Sequence, residues 1–182
     1  LTVRAAHRQA LESAARWLLR LDADLSPFYA GAAADPALAW GTGGAGRMAR
    51  CPTVFEDVIK TILTTNCAWS ATVRMVTALV NELGEPLPAG NDSATIRAFP
   101  TPEAMAARDE TFYREVIRCG YRAKSLRAVA ELVANGAINL ERLGLATPEE
   151  MDDDAVRAEL LALPGIGPYA AAHVMMMLGR PA

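Results

Sequence analysis

The chain has 182 residues and a mass of 19.4 kDa, and 52% of its residues are apolar, which fits one domain or a little more and excludes disorder. Its formal net charge is -3 with a pI near 5.4, so no global basic character announces a nucleic-acid partner, and any such partner must be held locally. Alanine fills 36 positions and runs of Val, Ile, Thr and aromatic residues are nearly absent, which together predict helices and no sheet.

A first helix is expected over residues 2–21, with Leu11, Ala15, Leu18 and Leu19 as its apolar stripe. Residues 25–52, with Asp35-Pro36 and glycines at 41, 43, 44 and 46, read as a flexible linker. A phosphate loop is disfavoured because no strand precedes the glycines and no Gly-Lys-Ser/Thr follows them. Thr53 and Glu56 form a capping-box pattern, and Phe55, Val58, Ile59, Ile62 and Leu63 follow as a buried stripe ending near Asn66. The next helix is predicted over 68–83, with Val73, Val76, Leu79 and Val80 inward and Gly84 as its stop. Pro86, Pro88 and Gly90 mark a loop. Thr101 and Pro102 open a short helix, and another covers 110–118. Cys119-Gly120 turns the chain into a helix over 122–134, with Leu126, Val129, Leu132 and Val133 inward and Asn135-Gly136 as its end. Asp152, Asp153 and Asp154 begin a helix that ends near Leu163, where negative charge suits the helix dipole. The count is about eight helices.

Residues 160–179 lack Asp, Glu, Lys and Arg, but Pro164, Gly165, Gly167 and Pro168 interrupt them, so they read as helix, tight turn, helix rather than a membrane span. No signal peptide is visible, and Cys51, Cys67 and Cys119 lie too far apart for a local metal clip. Reduced thiols and a cytoplasmic location, nucleoid-associated if the protein is bacterial, are expected. The chain begins at Leu1 and stops at Ala182 just after a helix, and is read as a piece of a longer protein.

Leu163-Pro164-Gly165-Ile166-Gly167-Pro168-Tyr169-Ala170-Ala171 carries the most information. Gly165 and Gly167 permit unusual dihedrals and close backbone approach, and the new helix presents unpaired amides that make an anion site. Such a site holds a phosphate without lysines. An ordinary hairpin between packed helices explains the same spacing equally well.

This segment resembles the helix-hairpin-helix of base-excision DNA glycosylases of the HhH-GPD superfamily. Phe55-Glu56-Asp57-Val58-Ile59 through Thr64-Thr65-Asn66 is similar to the helix before the lesion-opening loop of the 8-oxoguanine and 3-methyladenine (AlkA-like) branch. Cys119-Gly120-Tyr121-Arg122-Ala123-Lys124 resembles a turn of the same branch. The three motifs occur in the family's order. The resemblance implies an all-α fold with two helical lobes flanking a cleft, residues 1–50 contributing a helix and linker of the first lobe and 51–182 the helical domain, incomplete at its C-terminus.

It also implies a mechanism: the damaged nucleotide of double-stranded DNA is flipped into a pocket and its N-glycosidic bond is cut. Asn66 matches the residue that fills the gap, and Tyr121 and Arg122 match residues that wedge beside and contact the opposite strand. The arginine that would read cytosine falls at Ala71, so cytosine reading is not expected. Bifunctional relatives carry a lysine where Tyr169 stands, and a phenol forms no Schiff base, so a monofunctional hydrolase acting on an alkylated purine is expected. Tyr169 and His173 are i and i+4 on one helix face and match pocket rings. His173 reads equally as a histidine bonded within the core. Met175, Met176 and Met177 read as core packing.

By the resemblance, the catalytic aspartate comes a few residues past Ala182, and the chain as given is expected to be inactive. Backbone carbonyls of Leu161, Leu163 and Ile166 match a K+ or Na+ site at the hairpin. No other cofactor, no membrane and no obligate protein partner are expected, and a monomer is the default. The alternatives are a non-catalytic DNA-binding hairpin module and a purely structural helical scaffold.

Overall fold

The computed structural model describes residues 5–87 and 96–180. Ten α-helices and two short 3-10 turns lie among them. The only strand-like pairing among these residues is an isolated antiparallel bridge between Pro86 and Arg97. Pro88 and Gly90 of the expected loop lie outside the described residues. The chain divides into two compact units, Leu1–Pro52 and Thr53–Ala182.

The first unit holds α1 (Ala5–Leu19), α2 (Ser26–Ala34) and a 3-10 turn over Ala39–Gly43. It corrects the expectation of a linker over 25–52. Asp24 accepts a hydrogen bond from the Ser26 amide at 2.9 Å, Pro27 sits in the first turn, and the alanines sustain the helix. One of the glycines serves packing: Gly46 has φ +89, and a Cβ there would meet the Phe28 ring at 2.8 Å. The Arg50 guanidinium stacks 3.2 Å above the Trp17 ring, and the Trp17 indole N–H donates to the Cys51 carbonyl at 3.1 Å. Among the described residues of this unit only Ala32 and Gly41 are buried, so the stripe predicted on α1 is not a core; Leu11 is exposed.

The second unit is built around α3 (Val54–Thr64). Val54, Phe55, Val58, Ile59, Ile62 and Leu63 are buried, each large aliphatic contributing about 1.5–3 kcal/mol of burial. Thr53 caps the helix as expected, its hydroxyl accepting from the Glu56 amide at 3.1 Å. The other first-turn amides, of Val54 and Phe55, donate to the two carboxylate oxygens of Glu141 at 2.9 and 3.1 Å. Glu141 begins α8 (Glu141–Leu145), a short helix that periodicity does not predict.

The remaining helices surround this rod. α3 contacts α4 (Trp69–Leu83), α7 (Ala123–Ala134), α8 and α10 (Pro168–Leu178), while α7 also packs on α5 (Pro102–Ala106) and α6 (Glu110–Glu115). In α4, Leu79 is buried as expected, but Thr72 and Met75 are the other inward residues and Val73 is exposed, a rotation of the expected face. α6 stops short of the predicted residue 118. Arg118 enters the left-handed region at φ +59, and both the Cys119 amide and its thiol turn back to the Tyr113 carbonyl at 3.2 Å. Leu126 and Val129 of α7 are buried, whereas Leu132 and Val133 are half-buried.

α9 (Asp153–Leu161) starts at its Asp152 cap, whose carboxylate accepts from the Ala155 amide at 2.7 Å. α10 follows after a tight turn and buries Ala170, Ala171, Val174, Met175, Met177 and Leu178. Met176 is exposed, so two of the three methionines are core. The buried Arg180 guanidinium then donates to the Ala146 and Met151 carbonyls and to Asp153, locking the end of α10 to the start of α9.

Candidate functional site

Three segments far apart in sequence converge on one cavity of about 560 Å3. Thr64, Thr65, Asn66 and Cys67 come from the end of α3, Tyr121 from the 3-10 turn Gly120–Arg122, and Gly165, Gly167, Pro168, Tyr169 and Ala170 from the α9–α10 hairpin. Of the residues singled out in the sequence, Asn66, Tyr121, Gly165, Gly167 and Tyr169 line it together.

The hairpin's geometry follows from its two glycines, which act differently. Gly165 has φ +85, and a Cβ there would lie 2.6 Å from the Ser125 Cβ on α7, so both conformation and contact require glycine. Gly167 has φ -100 and ψ -178, an ordinary extended conformation, and a Cβ on it would meet nothing within 4 Å. The expectation of a special dihedral at Gly167 is corrected; what this glycine leaves is open space beside the cavity. It is the N-cap of α10 and supplies no side-chain acceptor. The first-turn amides of α10 therefore have no intrahelical partner, and Tyr169 and Ala170 among them line the cavity. Pro168 carries no N–H.

Asn66 ends the α3 segment at φ +47, a left-handed conformation that asparagine tolerates better than most residues. Its side-chain amide donates to the Tyr121 hydroxyl at 3.3 Å. The two residues matched to the wedge are thus already paired. Tyr121 is 63% exposed, and hydrogen bonding with the Thr65 and Asn66 side chains holds its phenol below the ordinary tyrosine range.

Arg122 is placed otherwise than expected. It is buried, and its guanidinium donates to the Thr65 carbonyl, to the Thr65 hydroxyl at 3.4 Å and to the Cys119 carbonyl at 3.3 Å, while its plane lies 4.6 Å from the Tyr121 ring centroid. Its work is internal: it ties the segment bearing Asn66 to the turn bearing Tyr121. Thr65 and Cys67, which the sequence analysis did not single out, complete this wall. The Cys67 thiol donates to the Leu63 carbonyl at 3.2 Å and shares a hydrogen bond with the Thr72 hydroxyl at 3.3 Å.

Tyr169 is 74% exposed, and the His173 ring stacks on it at 6.3 Å between centroids with an interplanar angle of 13°. His173 is half-buried and is not among the residues lining the cavity. Among the described residues no carboxylate and no lysine lines the cavity either; Lys60 pairs with Glu56 at 2.5 Å, and Lys124 is exposed on α7. Among the described residues no three His, Cys, Asp or Glu side chains gather as a metal site, and no helix is long and apolar enough to cross a membrane.

No protein-family model and no curated protein matches the chain. Solved structures do. The chain is similar to MBOgg1, solved with a low-affinity DNA ligand (TM-score 0.78, 24% identity, 98% of this chain and 58% of that one). It is similar to the 8-oxoguanine glycosylase/lyase of Clostridium acetobutylicum (TM-score 0.77, 23% identity, 93% and 57%). It is also similar to the 3-methyladenine DNA glycosylase of Archaeoglobus fulgidus (TM-score 0.72, 22% identity, 98% and 59%). The chain thus spans less than two thirds of the length of each of these neighbours. At these identities the similarity is one of fold, and the chain has the all-α fold of the helix-hairpin-helix DNA glycosylases.

Proposed function

We propose that this chain is the larger part of a monofunctional DNA N-glycosylase that removes an alkylated purine from double-stranded DNA. The observation that carries the reading is the convergence of Asn66, Tyr121, Tyr169 and the open Gly167 backbone on one cavity from three separate segments. Two of the similar structures, MBOgg1 and the Clostridium acetobutylicum enzyme, were solved with DNA.

In this reading the α10 amides and the space beside Gly167 receive a backbone phosphate, because unpaired N–H groups at a helix start favour an anion without a cationic side chain. The Asn66–Tyr121 pair occupies the gap left in the base stack. The everted base enters against the Tyr169 ring, and the stacked His173 stiffens that ring. An electron-rich ring attracts the cationic alkylated base, which is already a good leaving group. Water attacks the anomeric carbon as the N-glycosidic bond breaks and positive charge develops on the sugar. A carboxylate must stabilise that charge. None of the described residues lining the cavity supplies one, and by the family resemblance we assign it to an aspartate past Ala182. Tyr169 offers no amine to attack the sugar, which keeps the strand intact.

The hairpin carbonyls of Leu161, Leu163 and Ile166 are assigned to a monovalent cation. Their donor chemistry fits, since they are neutral oxygens, and Leu163 and Ile166 are buried at the turn. The Leu163 carbonyl also accepts the Ile166 amide at 3.2 Å and keeps one lone pair for an ion. Such an ion would fix the turn and take no part in bond cleavage.

A cavity wall whose described residues include no carboxylate favours one second reading, a hairpin module that binds DNA without chemistry. One assay separates the two. The full-length protein is incubated with duplexes carrying a methylated purine, uracil or 8-oxoguanine, and free base and strand integrity are followed. Release of methylated purine with an unbroken strand is expected. Strand scission in the same step removes the monofunctional reading, and binding without base release selects the module.

A further inference from the structure

The exposed side of α4 carries a set of residues that neither the core nor the cavity uses. Trp69, at the start of the helix, is 73% exposed, and Val73, one turn on, is 46% exposed. Ser70, Arg74, Thr77 and Asn81 are exposed with them. At 100° per residue these six positions sweep about 140° of the helix surface, with Trp69 at one edge and Arg74 at the other. An indole left in water beside a valine is the kind of feature that marks a contact surface.

Charge points to the partner. Between Asp57 and Glu82 the sequence has no acidic residue, although the whole chain is net negative. The Arg74 guanidinium leans across to the Ile117 and Arg118 carbonyls at 3.3 and 3.4 Å, which brings it beside the exposed Arg118. The exposed face therefore runs from the apolar pair Trp69 and Val73 at one edge to two cations at the other, with no anion of its own helix before Glu82. Position points the same way. Trp69 follows Asn66 by three residues, so their Cα atoms are at most about 11 Å apart. The Thr72 hydroxyl donates to the Leu63 carbonyl at 3.2 Å and fixes the start of α4 against the end of α3.

We propose that Trp69 is a DNA-stacking residue: its indole covers a base left unstacked beside the cavity, with Val73 behind it and Arg74 and Arg118 toward the phosphates. Aromatic rings cover any base face, and cations track the backbone, which makes an interrupted duplex the occupant of this surface. The proposal deepens the reading of the cavity as a lesion site and rests on it.

The test compares the full-length protein with its Trp69→Ala, Trp69→Phe and Asn66→Ala variants. Binding is measured by anisotropy on two duplexes, one intact and one carrying a tetrahydrofuran abasic analogue, and tryptophan emission is followed in the same titrations. Trp69→Ala is expected to weaken binding to the abasic duplex about tenfold. Binding to the intact duplex should change by less than about twofold, and Trp69→Phe should restore most of the loss. DNA should quench an emission component that Trp69→Phe lacks. If Trp69→Ala binds both duplexes as the parent does while Asn66→Ala loses the abasic preference, the stacking role is wrong and the cavity reading stands. A parent protein that does not distinguish the two duplexes overturns both. A Trp69→Ala variant that changes only the sedimentation coefficient assigns the face to a second copy of the chain and also overturns the proposal.

Discussion

Arg122 shows how a single side chain holds the candidate site together from behind. Its guanidinium donates to the Thr65 and Cys119 carbonyls from a buried position, so truncation removes that donor from the Thr65 carbonyl and leaves the Cys119 carbonyl only the Arg122 amide at 3.3 Å. Arg122→Ala is expected to lower unfolding free energy by about 2–3 kcal/mol, read by urea denaturation. Arg122→Lys should recover only part of this, because an ammonium lacks the planar fork that reaches two carbonyls. The two hairpin glycines make a matched pair of tests. Gly165→Ala meets a left-handed φ and the Ser125 side chain together, and should cost about 2 kcal/mol or more in the same measurement. Gly167→Ala should stay within about 0.5 kcal/mol, since its backbone is ordinary and its surroundings open. A Gly167→Ala protein that is folded yet weak in DNA binding would separate the anion role from the structural one.

At the scale of the element, α3 depends on groups distant in sequence. Its first amides are held by Thr53 from within and by Glu141 from α8. Glu141→Ala is expected to destabilise the fold by about 1–2 kcal/mol, and Thr53→Ala by about 1 kcal/mol, both in urea melts. Because both caps serve the same turn, their double variant should deviate from the sum of the single effects. The end of α3 has the opposite character, turning outward at Asn66 and meeting Tyr121. The phenol there titrates below the usual range, whereas burial drives the Tyr113 phenol well above it. In a spectrophotometric titration, Tyr121→Phe should remove ionisation on the early side of the curve and Tyr113→Phe on the late side.

For the whole molecule, the buried Cys119 thiol and Tyr113 phenol set a pH dependence. Burial pushes the Cys119 thiol up to about 11, and Tyr113 moves in the same direction. Both favour the neutral form in the fold. The unfolded chain releases their protons first, so stability is retained below the ordinary thiol value of about 8.5 and declines as pH rises from there toward 11. Urea midpoints at pH 7.5 and 10.5 should show this loss, and Cys119→Ala should reduce it; an unchanged midpoint would contradict the burial argument. Net charge sets a second expectation. If DNA is held through peptide amides as proposed, a chain of charge -3 releases few counterions on binding, so log affinity against log salt should be shallow, with a slope on the order of -1 to -3.

The sequence alone determined the helices whose punctuation is local: the Thr53, Thr101 and Asp152 caps, the Gly84 stop, and the hairpin at Gly165. The resemblance of three motifs in one order grouped Asn66, Tyr121 and Tyr169, and all three line one cavity. Caps and turns are legible because their hydrogen bonds close within a few residues. The sequence did not reveal α2 or α8, whose short runs carry little periodicity, nor the rotation of α4 that leaves Val73 and Trp69 in water. Only the tertiary structure decided that Glu141 caps a helix 87 residues away, that Arg122 turns inward, and that Gly165 rather than Gly167 is pinned by a neighbouring helix. Those outcomes depend on which groups meet after the chain has packed, and a buried donor takes whichever carbonyl the packing leaves within reach.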